Sequence, residues 1–175
     1  MLTLAAAETE LTLRLRDSPR ARHSRGVAEF LGQIAARLDE DRELWAVTGL
    51  LHDIDFEVTS HQPHQHGLVA ADWLADRLPP AGLDAIRSHD HRSGVVSTTR
   101  LARALKCSDA LAVIVETLGA AAPGAIEMPV SLPQHLASRP WLAPLLYDNA
   151  AALGLAPTVL ADIVRASGYA TGIDA

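Results

Sequence analysis

Between Thr99 and about Leu118 the spacing of apolar residues predicts a helix with little polar surface, built on Leu101, Leu105, Leu111, Val113, Ile114 and Val115. An aspartate, Asp109, sits in its middle. An unpaired carboxylate in such surroundings costs several kcal/mol or is forced neutral, so Asp109 requires a cation. Lys106, one turn earlier, offers an i, i+3 salt bridge. A metal ion is the other way to satisfy it.

The rest of the chain reads as helix too. Hydrophobic residues make up 49% and aromatics only 4%, with alanine and leucine dominant, which favours helices over sheet. Residues 2–16 carry mixed signals. Thr3 to Glu10 looks helical, whereas Leu11, Leu13 and Leu15 alternate as in a strand; helix is expected because everything after it is helical. Ser18-Pro19 supplies a cap and a first-turn proline. His23, Val27, Phe30, Leu31, Ile34 and Leu38 then share one face, so His23 points where the apolar residues point. It is either a core histidine bonded to a carbonyl or a ligand. Asp39-Glu40-Asp41 caps a further helix from about Arg42, with Leu44, Val47, Leu51 and Ile54 as its buried stripe and Trp45 alongside. His52-Asp53 lies on the flank of that stripe, as a hydrogen-bonded pair or as two metal ligands.

The segment Ser60–Gly67 holds three histidines. His66 is favoured as an inward residue because it opens a helix continued by Ala70, Leu74 and Leu78; His61 and His64 fall at the rim. Pro79-Pro80-Ala81-Gly82 ends that helix, and a short one follows with Leu83, Ile86 and His89 on one face. His91 and Arg92 come after it, in a loop. Gly119 to Pro140 lacks periodicity and reads as a connector, or as a lid. Trp141–Leu153 and Pro157–Ala166 are two more helices, with glycine stops at Gly154 and Gly168. The expected fold is all-α, one compact helical bundle over residues 1–175. Its metal-binding core spans about 20–118, and C-terminal helices within 132–168 pack on it.

Four histidines and two aspartates exceed what one tetrahedral zinc needs, and the absence of cysteine ligands argues against a structural site. His23, His52, Asp53, His66, His89 and Asp109 suit two ions sharing a carboxylate, which can clamp the attacking and leaving oxygens of a displacement at phosphorus. His23, His52, Asp53 and Asp109 are assigned to one ion, and His66 and His89 join a bridging Asp53 at the other. Imidazole-rich ligation favours iron, manganese, cobalt, nickel or zinc over magnesium. A bridging water is the nucleophile, with Asp53 and Lys106 as catalytic residues. Arg92, His91 and Lys106 are candidates for binding substrate phosphate.

These positions resemble the HD superfamily of metal-dependent hydrolases, whose signature is His, His-Asp and a distant Asp: here His23, His52-Asp53 and Asp109. The likeness extends to His66-Gly67, to Ala85-Ile86 before His89, and to Cys107-Ser108-Asp109. His66 and His89 look like the dinuclear subgroup, which includes small bacterial nucleotide and dinucleotide polyphosphate hydrolases. The run between Asp53 and His66 is shorter than in the dinucleotide hydrolases. The resemblance implies an all-helical domain that hydrolyses a phosphate ester or anhydride of a nucleotide-like small molecule. The alternatives are a di-iron oxygenase of the same superfamily and a non-catalytic metal-containing binding module. The net charge of −6 argues against binding a nucleic acid polymer or an anionic membrane surface. A single cysteine, no signal-peptide pattern and no apolar run approaching the ~20 residues of a membrane span lead to a cytoplasmic expectation.

Overall fold

The computed structural model describes residues 2–136 and 138–169, and among them there are helices and turns but no strand. Polar side chains cap several of the helices, and Ser18 and Asp41 do so where the sequence predicts a cap. α1 (Leu4–Leu15) begins where the Thr3 hydroxyl accepts the Ala6 N–H. α2 (Pro19–Arg37) begins at Ser18, which accepts the Ala21 N–H, with Pro19 as its first residue. The Asp41 carboxylate accepts the Leu44 N–H at the start of α3 (Arg42–Leu51). Then follow α4 (Phe56–Thr59), a 3₁₀ turn at Pro63–Gln65, α5 (Leu68–Trp73), α6 (Pro80–Ser88) and a second 3₁₀ turn at His91–Ser93. α7 (Arg100–Leu118) is capped by Thr99, which accepts the Ala102 N–H. The chain continues through α8 (Ala122–Ile126), α9 (Leu132–His135), α10 (Leu142–Ala152) and α11 (Pro157–Ala166).

The alternation in α1 is incidental: Ala7, Leu11 and Leu15 are buried four apart, and Leu13 faces solvent. Three boundaries differ from the sequence expectation. His66 does not open a helix. Its backbone is extended, Gly67 turns the chain in the left-handed region, and α5 stops at Trp73, although Leu74 and Leu78 are still buried. Pro80 starts α6, since a proline's missing N–H is harmless in a first turn. The stretch from Gly119 to Pro140 contains two short helices that place Ile126, Leu132 and Leu136 in the core. Gly154 stops α10 with φ +74, whereas α11 ends through the extended Ser167.

Two apolar clusters make the core. One joins α2, α7, α10 and α11 through Phe30, Leu105, Leu111, Ile114, Leu146 and Leu160. The other joins α1, α3, α5 and α6 through Leu11, Leu15, Leu51, Leu74 and Ile86. α2 serves both, with Val27 and Phe30 in the first and Ala21 and Ala28 in the second. It lies close against α3: a Cβ on Gly49 would come within 3.0 Å of the Ala28 Cα. The helical stretch Arg100–Ile126 does reach the length and apolarity of a membrane span, contrary to the sequence expectation. In the fold, α7 packs against α2, α6 and α10, and its apolar side chains are core.

Candidate metal centre

Helices from both clusters deliver the six polar side chains. α2 brings His23, the end of α3 brings His52 and Asp53, and the extended residue before α5 brings His66. His89 caps the end of α6, and Asp109 comes from the middle of α7. Five are buried, and Asp109 keeps partial exposure on the cavity side. The side-chain atoms meet. Asp53 Oδ1 lies 3.3 Å from His52 Nε2, 3.0 Å from His66 Nε2 and 3.4 Å from His89 Nε2. His66 Nε2 and His89 Nε2 are 3.2 Å apart, and His23 Nε2 is 3.0 Å from Asp109 Oδ1. Ligand atoms of His23, His52 and Asp109 fall within 4.8 Å of one another, as do those of His52, Asp53 and His89. His52 belongs to both groups.

The backs of the four rings show why every Nε2 points inward. His52 Nδ1 donates to the Gly49 carbonyl and His89 Nδ1 to the Ile86 carbonyl, each at 2.7 Å. His66 Nδ1 donates to Asp55 Oδ1 and His23 Nδ1 to Glu116 Oε1, each at 2.8 Å. A ring whose Nδ1–H is given away presents Nε2 as its lone pair, the arrangement that orients metal-binding histidines. His52 Nε2 and Asp53 Oδ1 are fully enclosed without a hydrogen-bond partner among the described residues. Orphaned buried atoms of this kind are what a cation would satisfy. The donor set therefore fits a metal.

Without an ion, protons take the place of positive charge. Burial disfavours charge on His23, but hydrogen bonds to Asp109 and Glu116 outweigh it and push its pKa up to about 10. His66 rises to about 10 against the same burial, through Asp53 and Asp55. His89 is raised by Asp53. Asp53 is held well below the usual carboxylate range: burial opposes its charge, and His52, His66 and His89 together overcome that. Asp109 is lowered by His23 against the same opposition.

The centre opens into a cavity of about 930 Å³, lined by His23, Asp53, His66, His89 and Asp109 on one side. Arg92 and His91 line it as well. Arg92 is clamped by both oxygens of Asp90, and the His91 side chain is 94% exposed. His61 and His64 are exposed. Lys106 does not line the cavity. Its pKa is lowered by burial and by Arg103, with Asp84 acting the other way, and its predicted salt bridge with Asp109 is replaced by the His23–Asp109 pair. Lys106, one turn before Asp109 on α7, is therefore not among the residues that the structure brings to the centre.

Several residues at the centre carried no signal in the sequence. Arg20 meets Asp53 Oδ2 at 2.9 Å with its guanidinium 3.8 Å over the Phe56 ring. Asp55, fully buried, accepts from His66 Nδ1, from the Gly67 N–H at 2.8 Å and from the Ala70 N–H at 3.0 Å. Glu116 holds His23 and also accepts the Tyr169 hydroxyl at 2.6 Å. Only the position of Asp55, two residues beyond Asp53, hinted at its part.

No curated protein and no solved structure matches the chain in comparison. A family model described as HD domain matches residues 20–114, a stretch that runs from Arg20 past Asp109 and takes in the six converging side chains. With more than half of its length matched and an all-helical fold around a His/Asp cluster, the chain belongs to the HD domain family.

Proposed function

We propose that the chain is a metal-dependent phosphohydrolase that cleaves a phosphate ester or anhydride of a nucleotide-like small molecule. His23, His52, Asp53 and Asp109 would hold one divalent transition ion, and Asp53, His66 and His89 a second. The observation that carries this reading is the convergence of four histidine Nε2 atoms on two carboxylates while all four Nδ1 atoms are bonded elsewhere. When bound, such a pair of ions acidifies water and neutralises phosphate oxygens. The chain's own residues prepare the centre. Arg20 fixes the Asp53 carboxylate from behind and leaves its other oxygen facing the three imidazoles. Asp55 and Glu116 set the rings of His66 and His23. A cavity of about 930 Å³ is of the size that takes a small organic phosphate.

The test is metal analysis of the purified protein, then phosphate release from a panel of esters and anhydrides with manganese or cobalt. Asp53→Ala should abolish metal loading and turnover together while helix content persists by circular dichroism. Full activity in that variant would rule out the shared carboxylate. Oxygen consumption by the iron-loaded protein without phosphate release would move the assignment to an oxygenase.

A further inference from the structure

The family match ends at residue 114, but the cavity does not. Arg139, Trp141, Leu142 and Leu145 complete its lining from the approach to α10 and the first turn of that helix, facing Val113 on α7. The six candidate ligands thus lie inside the match, whereas these four lining residues lie beyond it. Apart from Arg139, this part of the lining is apolar: among Val113, Trp141, Leu142 and Leu145 the indole N–H is the only polar side-chain group. It offers no amide or hydroxyl to read the edge of a base. Trp141 leaves 60% of its surface open beside the cavity, a large exposed ring.

The arginines of the lining differ in how they are engaged. Arg20 is paired to Asp53 and Arg92 to Asp90. Arg139 makes no ion pair among the described residues. An unpaired guanidinium next to an apolar shelf, opening on a polar centre, fits a molecule that is anionic at one end and flat and apolar at the other.

We propose that the cavity takes a phosphate monoester whose alcohol carries an aromatic or comparably apolar ring. The ring lies on Trp141 and Leu145, and an anionic oxygen of the same molecule pairs with Arg139. This rests on the phosphohydrolase reading and narrows its substrate class: selection is by shape and apolarity rather than by the identity of a base. In the reaction, a water oxygen bonds to phosphorus as the bond from phosphorus to the alcohol oxygen breaks. The water's proton ends on the departing alkoxide, giving orthophosphate and the ring-bearing alcohol.

The experiment compares 2-phenylethyl phosphate with ethyl phosphate on the manganese-loaded full chain, since their leaving alcohols have similar acidity and the ratio reports the ring. We expect kcat/KM to favour the phenyl ester by about tenfold or more. Trp141→Ala, at an exposed position where the core is not disturbed, should bring the ratio towards one. Arg139→Leu should raise KM for both esters. A native ratio near one, or a ratio untouched by Trp141→Ala, overturns the proposal while leaving the hydrolase reading intact. If neither ester is turned over, calorimetry with 3-phenylpropylphosphonate and propylphosphonate decides separately. Tighter binding of the phenyl compound that is lost in Trp141→Ala upholds the wall as a ring site, and equal binding sinks it.

Discussion

Asp55→Asn is the most incisive single change available at this centre. Asp55 Oδ2 accepts two backbone N–H groups, from Gly67 and Ala70, and Oδ1 accepts His66 Nδ1–H. An asparagine has one oxygen, which must stay with the two backbone donors, so its NH₂ faces His66 Nδ1. Two donors cannot face each other in a buried site. The imidazole escapes by moving its proton to Nε2, which puts an N–H where the ring otherwise offers a lone pair, 3.0 Å from Asp53 Oδ1. Exchanging an ionised acceptor for a neutral one weakens three bonds by about 0.5–2 kcal/mol each, or roughly 1.5–6 kcal/mol of stability. Loss of the group behind a metal-binding histidine lowers affinity about 10- to 100-fold. On the proposed two-ion assignment, the weakening should fall on the ion at His66 and His89, and the other should be retained. The assays are urea denaturation of the metal-free protein, metal stoichiometry by equilibrium dialysis, and histidine ¹⁵N spectra of the zinc-loaded protein at pH 8 to read which ring nitrogen is protonated. Two ions at unchanged affinity, with the proton still on Nδ1, would refute the reasoning.

Gly67→Ala should destabilise the fold by about 2–4 kcal/mol in urea titration, because φ is +79 and the new Cβ would meet the Ile86 carbonyl oxygen at 2.6 Å. Its distance of 3.1 Å from the His89 ring also predicts weaker metal binding. The metal-free protein should lose stability as pH rises. His23 and His66 have folded pKa values of about 10 against an ordinary 6.5, so their contribution is fully present below about 6.5 and gone once pH passes 10. Urea midpoints at pH 6 and pH 10 without metal check this. By the same protons, metal uptake at pH 7 should release acid, measurable with an indicator dye. Cys107 is fully buried, which pushes its thiol up to about 12, so it should resist a thiol reagent at pH 8 until the protein unfolds.

The parts of the fold that local chemistry specifies were legible in the sequence, and the parts that depend on distant partners were not. Ser18 and Asp41 each satisfy an N–H three residues on, so a cap can be read from a short window, and the long helices behind them follow by period. α4, α8 and α9 span at most five residues each, too few turns for a period to register. His66 shows how period misleads at a boundary. Its inward direction comes from Asp55, whose carboxylate bonds the ring and the first N–H groups around α5, and not from membership of that helix.

The same distinction governs the site. Histidines and an aspartate on apolar faces announce themselves, because burying them without a partner is costly. Arg20 and Glu116 do not, since a half-exposed arginine at a helix start and a glutamate near a helix end look like ordinary surface residues. What marks them out is the side chain opposite, 33 residues away for Arg20 and Asp53 and 93 away for Glu116 and His23. Arg139 and Trp141 lie further still from any motif, and only the closing of α10 over the cavity shows that they face it. Reaction chemistry in such a chain is therefore written in the residues whose burial needs explaining. Selectivity sits in residues that look unremarkable until the wall they form is seen, which is why replacing Trp141 should alter which ester is preferred and replacing Asp53 should end the reaction altogether.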